Sequence, residues 1–236
     1  METGLAGKRV LVTGGTRGIG RTLVCALGDA GAEVVTCCRH EPGRPPEHVH
    51  PRVRVEFADV TRQAEVAALL DTCRTLLGGL DALVNNVGVD RDTVIDALSD
   101  PEWSHVIDHN VTSAHLVTQA ALPLLADGSS VVNIGAAASV GGHSGGHYAA
   151  SKSALLGLTR SLARELGPRR IRINTVSPGL IGSGDGTRDM VMRQVLEMTP
   201  LGRLCRPEDV VGAVLFLLGD TSRFISGVTL NVDGGI

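Results

Sequence analysis

The chain has 236 residues, 43% hydrophobic and 20% charged, with a formal charge of -3, which is the composition of a folded domain with a substantial core and excludes a disordered chain. Its 22 basic residues are scattered among 25 acidic ones, so no stripe for nucleic acid forms. No apolar run approaches the roughly 20 residues that span a bilayer and Met1 to Gly7 lack a secretory pattern, so no membrane is expected and the location is read as cytoplasmic.

In chain order, β-branched apolar runs alternate with stretches of helical period, the rhythm of βαβ units. Strands are expected at 8–13, 33–38, 53–57, 80–85, 130–135, 171–176 and 228–232, and helices at 18–29, 62–77, 103–125, 147–166, 187–197 and 207–219. The predicted fold class is α/β, a doubly wound parallel seven-stranded sheet of Rossmann type, forming one domain over residues 1–236. Thr61, Asp100 with Pro101, and Arg206 with Pro207 and Asp209 mark helix starts. The prolines within Glu41 to Pro46 predict an irregular loop rather than a crossover helix. Five cysteines (Cys25, Cys37, Cys38, Cys73, Cys205) show no metal-ligand spacing and are read as reduced thiols, with no metal expected. Residues 182–199 open on glycines and carry three of the four methionines. With Met190, Val191, Met192, Val195, Leu196 and Met198 they suit an apolar substrate lid, although amphipathic packing explains the same pattern.

Directly after the first strand, Thr13-Gly14-Gly15-Thr16-Arg17-Gly18-Ile19-Gly20 opens a helix. Glycines there let the backbone turn tightly against a pyrophosphate, while the helix start offers free N–H groups and a positive dipole end. Further along stand Asp59-Val60, Asn85-Asn86-Val87-Gly88, Asn110, Tyr148-x-x-x-Lys152 and Pro178-Gly179. This ordered set, with the spacing Gly14-x-x-x-Gly18-x-Gly20, resembles the short-chain dehydrogenase/reductase family, and within it the 3-oxoacyl carrier-protein reductases and related ketoreductases.

The resemblance implies an NADP-dependent oxidoreductase acting on CH–OH and C=O groups. It places Gly14, Thr16, Arg17, Gly18, Ile19 and Gly20 on the cofactor phosphates, Asp59 and Val60 on the adenine, Asn86, Val87 and Gly88 along the adenosine, and Pro178, Gly179, Ile181 and Ser183 toward the nicotinamide. Val87 stands where alanine is usual. Charge argues for NADPH over NADH: the second strand ends in Cys38-Arg39 with no acid to repel a 2′-phosphate, and Arg39 with Arg17 can bond one.

Tyr148 and Lys152, the single tyrosine and one of two lysines, lie four apart and share a helical face. A neighbouring ammonium favours the phenolate and lowers the phenol from its usual value of about 10. Tyr148 can then give a proton to a carbonyl oxygen as hydride arrives, with Lys152 also on the ribose. By resemblance, Asn110 holds a water in a proton route. The family serine at the end of the fifth strand is absent: strand alignment gives Ala136, and counting back from Tyr148 gives Gly135. Ser139 could swing in, Ser144, His143 or His147 could donate instead, or the substrate could polarise its own carbonyl. Losing such a donor typically lowers turnover about 10²- to 10³-fold.

The leading expectation is an NADPH-dependent ketoreductase for a ketone or a β-ketoacyl, polyketide-like group, on a small molecule or a carrier. Two alternatives stand beside it: a nucleotide-binding regulatory or structural subunit with little catalysis, and an alcohol dehydrogenase, dehydratase or epimerase on the same scaffold. Relatives pair through the helices bearing Asn110 and Tyr148, which implies a homodimer or homotetramer.

Overall fold

The structure, a computed structural model, describes residues 4–39, 49–140, 145–182 and 189–236. Seven parallel strands form one sheet in the order β3-β2-β1-β4-β5-β6-β7: β1 (Arg9–Thr13), β2 (Glu33–Cys38), β3 (Val53–Phe57), β4 (Leu80–Asn85), β5 (Leu125–Ile134), β6 (Arg172–Pro178) and β7 (Thr229–Val232). The order reverses at β1, between the outward run to β3 and the run to β7. That switch point opens a crevice at the carboxyl ends of β1 and β4.

Helices cover both faces: α1 (Gly18–Asp29), α2 (Gln63–Leu77), α3 (Asp100–Ile107), α4 (Ser113–Ala121), α5 (Gly146–Glu165), α6 (Asp189–Met198) and α7 (Pro207–Leu218). Because successive strand residues point to opposite faces, Val10 and Val12 pack with Leu23, Leu27, Val210 and Val214 under α1 and α7. Leu11 points the other way, to Val66, Leu69, Leu70 and Val117 under α2 and α4. Burial on both faces is why the central strands read as continuous apolar runs.

Three local expectations are corrected. Thr61 does not cap α2: Asp59 Oδ1 accepts from Thr61 N and Oγ1 (3.0 and 2.7 Å) in an Asx-type turn, and the helix starts after Arg62. At α3 the cap is Ser99, not Asp100, with Ser99 Oγ accepting from Glu102 N. The helix expected over 103–125 stops at Ala121, because Pro123 offers no N–H, and Leu125 already pairs with Leu80 as β5 begins. Between α3 and α4 the chain widens into a π turn, Asp108–Thr112, a form that concentrates at functional sites. Arg206 N donates to Asp209 Oδ2 at 2.9 Å, as expected of the α7 start. The proline-bearing loop at 41–46 lies outside the described residues.

A buried polar chain runs beneath α4 and α5 and has no hydropathy signature. Asn85 Nδ2 donates to Thr118 Oγ1 and Asn133 Oδ1, Asn133 Nδ2 to Thr159 Oγ1, and Thr159 pairs with Thr175 Oγ1, all within 2.8–2.9 Å. Low dielectric makes such bonds costly to leave unmade, so they fix the register of β4, β5 and β6 against the two helices.

Candidate active site

A cavity of about 410 Å³ lies in the crevice, lined by Gly14, Thr16, Arg17, Gly18 and Ile19 on one side and Asn86, Val87 and Gly88 on another. The glycine loop is tied down from its neighbours. Asn86 Nδ2 donates to Thr13 O and Gly14 O (2.9 and 3.0 Å), and Gly15 N donates to Thr36 Oγ1 at 2.9 Å. Gly14 sits at φ +70°, and a Cβ on Gly20 would fall 2.2 Å from Gly14 O, so the loop folds back on α1 only with glycine at both positions. No side chain caps α1 and its first turn holds no acid, which leaves N–H groups and the positive dipole end facing the cavity.

The other wall is Cys37, Cys38, Arg39, Ala58, Asp59, Val60, Val89 and His109. Of these, His109, Val89, Cys37 and Ala58 were not foreseen. Burial pushes the Cys37 thiol up to about 12, so it stays a neutral wall. Burial would raise the Asp59 carboxyl, but the two Thr61 hydrogen bonds, with His109 and Arg62, outweigh it and hold it below the usual range. Asp59 N in turn donates to Glu65 Oε2 at 2.7 Å.

Gly88 joins this cavity to the tyrosine helix. A Cβ there would stand 3.1 Å from both Asn110 Oδ1 and Lys152 Nζ, so glycine lets the three meet. Asn110 is spoken for on every side: Oδ1 accepts from Val89 N (2.7 Å), and Nδ2 donates to Val89 O (3.0 Å) and Ser151 Oγ (2.8 Å). Ser151 Oγ passes the chain on to Tyr148 O at 2.7 Å. Sequence reasoning passed over Ser151, since a hydroxyl inside a helix carries no pattern of its own. Lys152 is 4% exposed, its Nζ donates to Ile134 O at 3.0 Å, and it lies 5.9 Å from the centre of the Tyr148 ring. Burial lowers its ammonium from the ordinary 10.5 to about 8, against a smaller pull from Asp90.

Two positions competed for the absent serine. A Cβ on Gly135 would strike Ser177 Oγ and Thr175 Cγ2 at 2.8 Å, so a side chain there would wedge between strands. Ala136, two residues past the end of β5, is buried and brings no hydroxyl. Ser139 lies in a short 3-10 turn, Ala137–Val140, but its side chain is outside the described residues, as are His143, Ser144 and Ser183. His147 is buried with no partner on either ring nitrogen among the described residues, and its ring packs where a Cβ on Gly145 would be. Pro178 ends β6, and Gly179 and Ile181 follow it, pinned by Gly179 N to Val232 O and by a bridge from Ile181 to Cys205; these three do not line the cavity. In α6, Val195 is buried while Leu196 and Met198 are exposed, so at most part of the expected apolar lining faces inward.

The family model described as enoyl-(acyl carrier protein) reductase matches residues 14–236. The chain is 33% identical over 240 residues to the 3-oxoacyl-[acyl-carrier-protein] reductase FabG of Vibrio cholerae, covering 98% of each. It is 34% identical to that of Escherichia coli, covering 98% of this chain and 97% of the relative. Among solved structures, a blue fluorescent protein from a metagenomic library, in complex with NADPH, superposes with a TM-score of 0.88 at 33% identity, covering 98% of both chains. A short-chain dehydrogenase/reductase from Serratia marcescens superposes with a TM-score of 0.89 at 30% identity and the same coverage.

Proposed function

Since the chain belongs to the short-chain dehydrogenase/reductase family and is an oxidoreductase, we propose that it is an NADPH-dependent ketoreductase for a ketone or a 3-oxoacyl group. The observation that carries this reading is the junction at Gly88, where the nucleotide-sized cavity meets a buried lysine beside the single tyrosine.

The cavity fits a dinucleotide phosphate. Its glycine loop leaves open space beside Gly18, the α1 N–H groups suit a pyrophosphate, and Arg17 and Arg39 stand on the wall, with Arg39 rather than an acid directly after β2. When bound, NADPH supplies the hydride. Tyr148 gives the proton to the carbonyl oxygen, and Lys152, while charged, stabilises the phenolate left behind. The amide of Asn110, fixed by Val89 and Ser151, holds the floor of the site and the route by which Lys152 regains a proton. Residues 182–199 act as the substrate lid, and Ser139 supplies the missing polarising hydroxyl. Pro178, Gly179, Ile181 and Ser183 border the nicotinamide end.

A carrier-bound thioester is the substrate class that the two FabG relatives suggest by name. A homodimer or homotetramer in the cytoplasm completes the reading; Phe216, Phe224, Val228 and Ile236 are exposed around α7 and the edge strand β7, which another copy would cover. Among the described residues no helix is long and apolar enough to cross a membrane.

The test is turnover of a panel of ketones, 3-oxoacyl thioesters and 2-enoyl thioesters with NADPH, followed by cofactor absorbance and product identification. Carbonyl reduction is expected. One observation favours a second reading, a nucleotide-binding subunit with little turnover: Ala136 stands where a hydroxyl would polarise the substrate. Tight NADPH binding with no turnover across the panel would select it.

A further inference from the structure

Lys152 carries its charge into the interior: it is 4% exposed, and its Nζ donates to Ile134 O at 3.0 Å. A backbone carbonyl is a dipole and does not cancel an ammonium, so a charge this deep calls for a carboxylate close by. The segment that crosses it after β4 supplies one. A Cβ on Gly88 would stand 3.1 Å from Lys152 Nζ, and two residues later comes Asp90. Two residues of chain span at most about 7 Å. Their path is fixed, because Val89 between them exchanges two hydrogen bonds with the Asn110 amide, at 2.7 and 3.0 Å. Asp90 Oδ1 is withdrawn from solvent, so this carboxyl oxygen is turned inward.

The other ionisable side chains on the elements around Lys152 are exposed or engaged elsewhere. Arg91 and Asp92, on the same segment, and Asp108, in the π turn, are exposed. Glu102 of α3 accepts from Thr93 Oγ1, His109 donates from Nδ1 to His105 O, and Arg172 of β6 reaches Ser222 and Gly219. On α5 itself, Tyr148 shares the face of the lysine and the residue before it, His147, is buried. Among the described residues Asp90 is thus the charge that acts on Lys152, and it opposes the burial that brings the ammonium down to about 8.

We infer that Asp90 is a positioning residue for the proton step, the counter-ion that keeps Lys152 an ammonium while Tyr148 gives its proton to the carbonyl oxygen. The inference rests on the ketoreductase reading above. As the Tyr148 O–H bond breaks toward the carbonyl oxygen, the phenolate left behind faces an ammonium whose charge Asp90 sustains. Asp90 acts through Lys152 and touches neither substrate nor cofactor in this role.

The experiment labels the two lysines of the full chain with ¹³C and follows the Lys152 signal against pH, with Lys8→Arg identifying the other. The same proteins are assayed for turnover of a ketone with NADPH across the same pH range. In Asp90→Asn, which keeps the shape and removes the charge, Lys152 is expected to titrate about 1 pH unit lower than in the wild type. The alkaline fall in turnover moves down with it, so the loss against wild type grows with pH and reaches about 5-fold near pH 8. Asp90→Glu, which keeps the charge, retains the wild-type titration. A Lys152 signal unmoved in Asp90→Asn, or a loss of turnover equal at every pH, overturns the inference and leaves the ketoreductase reading intact. A wild type that reduces no carbonyl overturns that reading and this role with it. Asp90→Thr, also short and neutral, provides the comparison if Asp90→Asn does not fold.

Discussion

The two ends of the crevice treat their polar groups differently. At the tyrosine end Asn110, Ser151 and Lys152 bond one another's neighbours and the backbone of Val89 and Ile134, so the side chains are locked before any substrate arrives. Across the cavity the α1 N–H groups and Asp59 Oδ2 have no hydrogen-bond partner of their own among the described residues beyond Arg62 at 3.9 Å from Oδ2. A buried polar group without a partner costs free energy, and it persists where a ligand supplies the missing bond. Asn110, Ser151 and Lys152 are thus positioned by the protein itself, whereas the α1 N–H groups are open to a ligand.

The sharpest break of that contrast is Tyr148→Phe, which keeps the ring and removes the proton. Turnover of a ketone with NADPH should fall about 10²- to 10⁴-fold, with NADPH affinity nearly unchanged. Retained turnover would move the proton donor elsewhere. Ser139→Ala comes next: if its hydroxyl polarises the carbonyl, kcat should drop about 10²- to 10³-fold, and undiminished turnover removes Ser139 and points to the buried ring of His147.

On the binding side, Arg39→Ala should raise the NADPH Kd about 10-fold and leave the NADH Kd where it was, because only NADPH carries the 2′-phosphate. Equal weakening of both would assign Arg39 to the shared part of the nucleotide.

The smallest effect concerns the locked end, and the composition makes it measurable. The chain has two lysines, Lys8 and Lys152, so ¹³C labelling of lysine gives two side-chain signals, and Lys8→Arg identifies one. Lys152 should titrate near pH 8 in the free protein. Its folded pKa lies below the unfolded 10.5, so between about 8 and 10.5 the unfolded chain holds the extra proton and stability rises with pH. Below pH 8 both states are charged and burying the ammonium is a cost. Relative to Lys152→Met, the wild type should therefore gain on the order of 3 kcal/mol across that window in denaturant unfolding. A Lys152 signal titrating near the Lys8 signal would show that the ammonium is hydrated and the pocket wetter than its burial implies.

Much of this was written in local pattern. The glycine loop was legible because its conformation excludes side chains at Gly14 and Gly20, and the tyrosine and lysine because helical spacing alone puts residues 148 and 152 on one face. The alternation of Val10, Leu11 and Val12 set which side chains reach which helical layer, so strand positions followed from period 2. Helix ends were less legible, since Ser99, Thr61 and Asp59 are all plausible caps and only the path of the backbone selects among them.

What tertiary structure alone decided was which distant groups became neighbours. Nothing near residue 109 indicates that its ring lines a cavity with Asp59, because the π turn that aims it and the strand order that brings β3 and β4 to flank that cavity are properties of the assembled sheet. The choice between Gly135 and Ala136 likewise required β6, whose Ser177 and Thr175 fill the space a side chain at 135 would need. Sequence determines conformation through short-range sterics and periodicity, whereas a site depends on contacts between residues tens of positions apart, and those exist only once the core has packed.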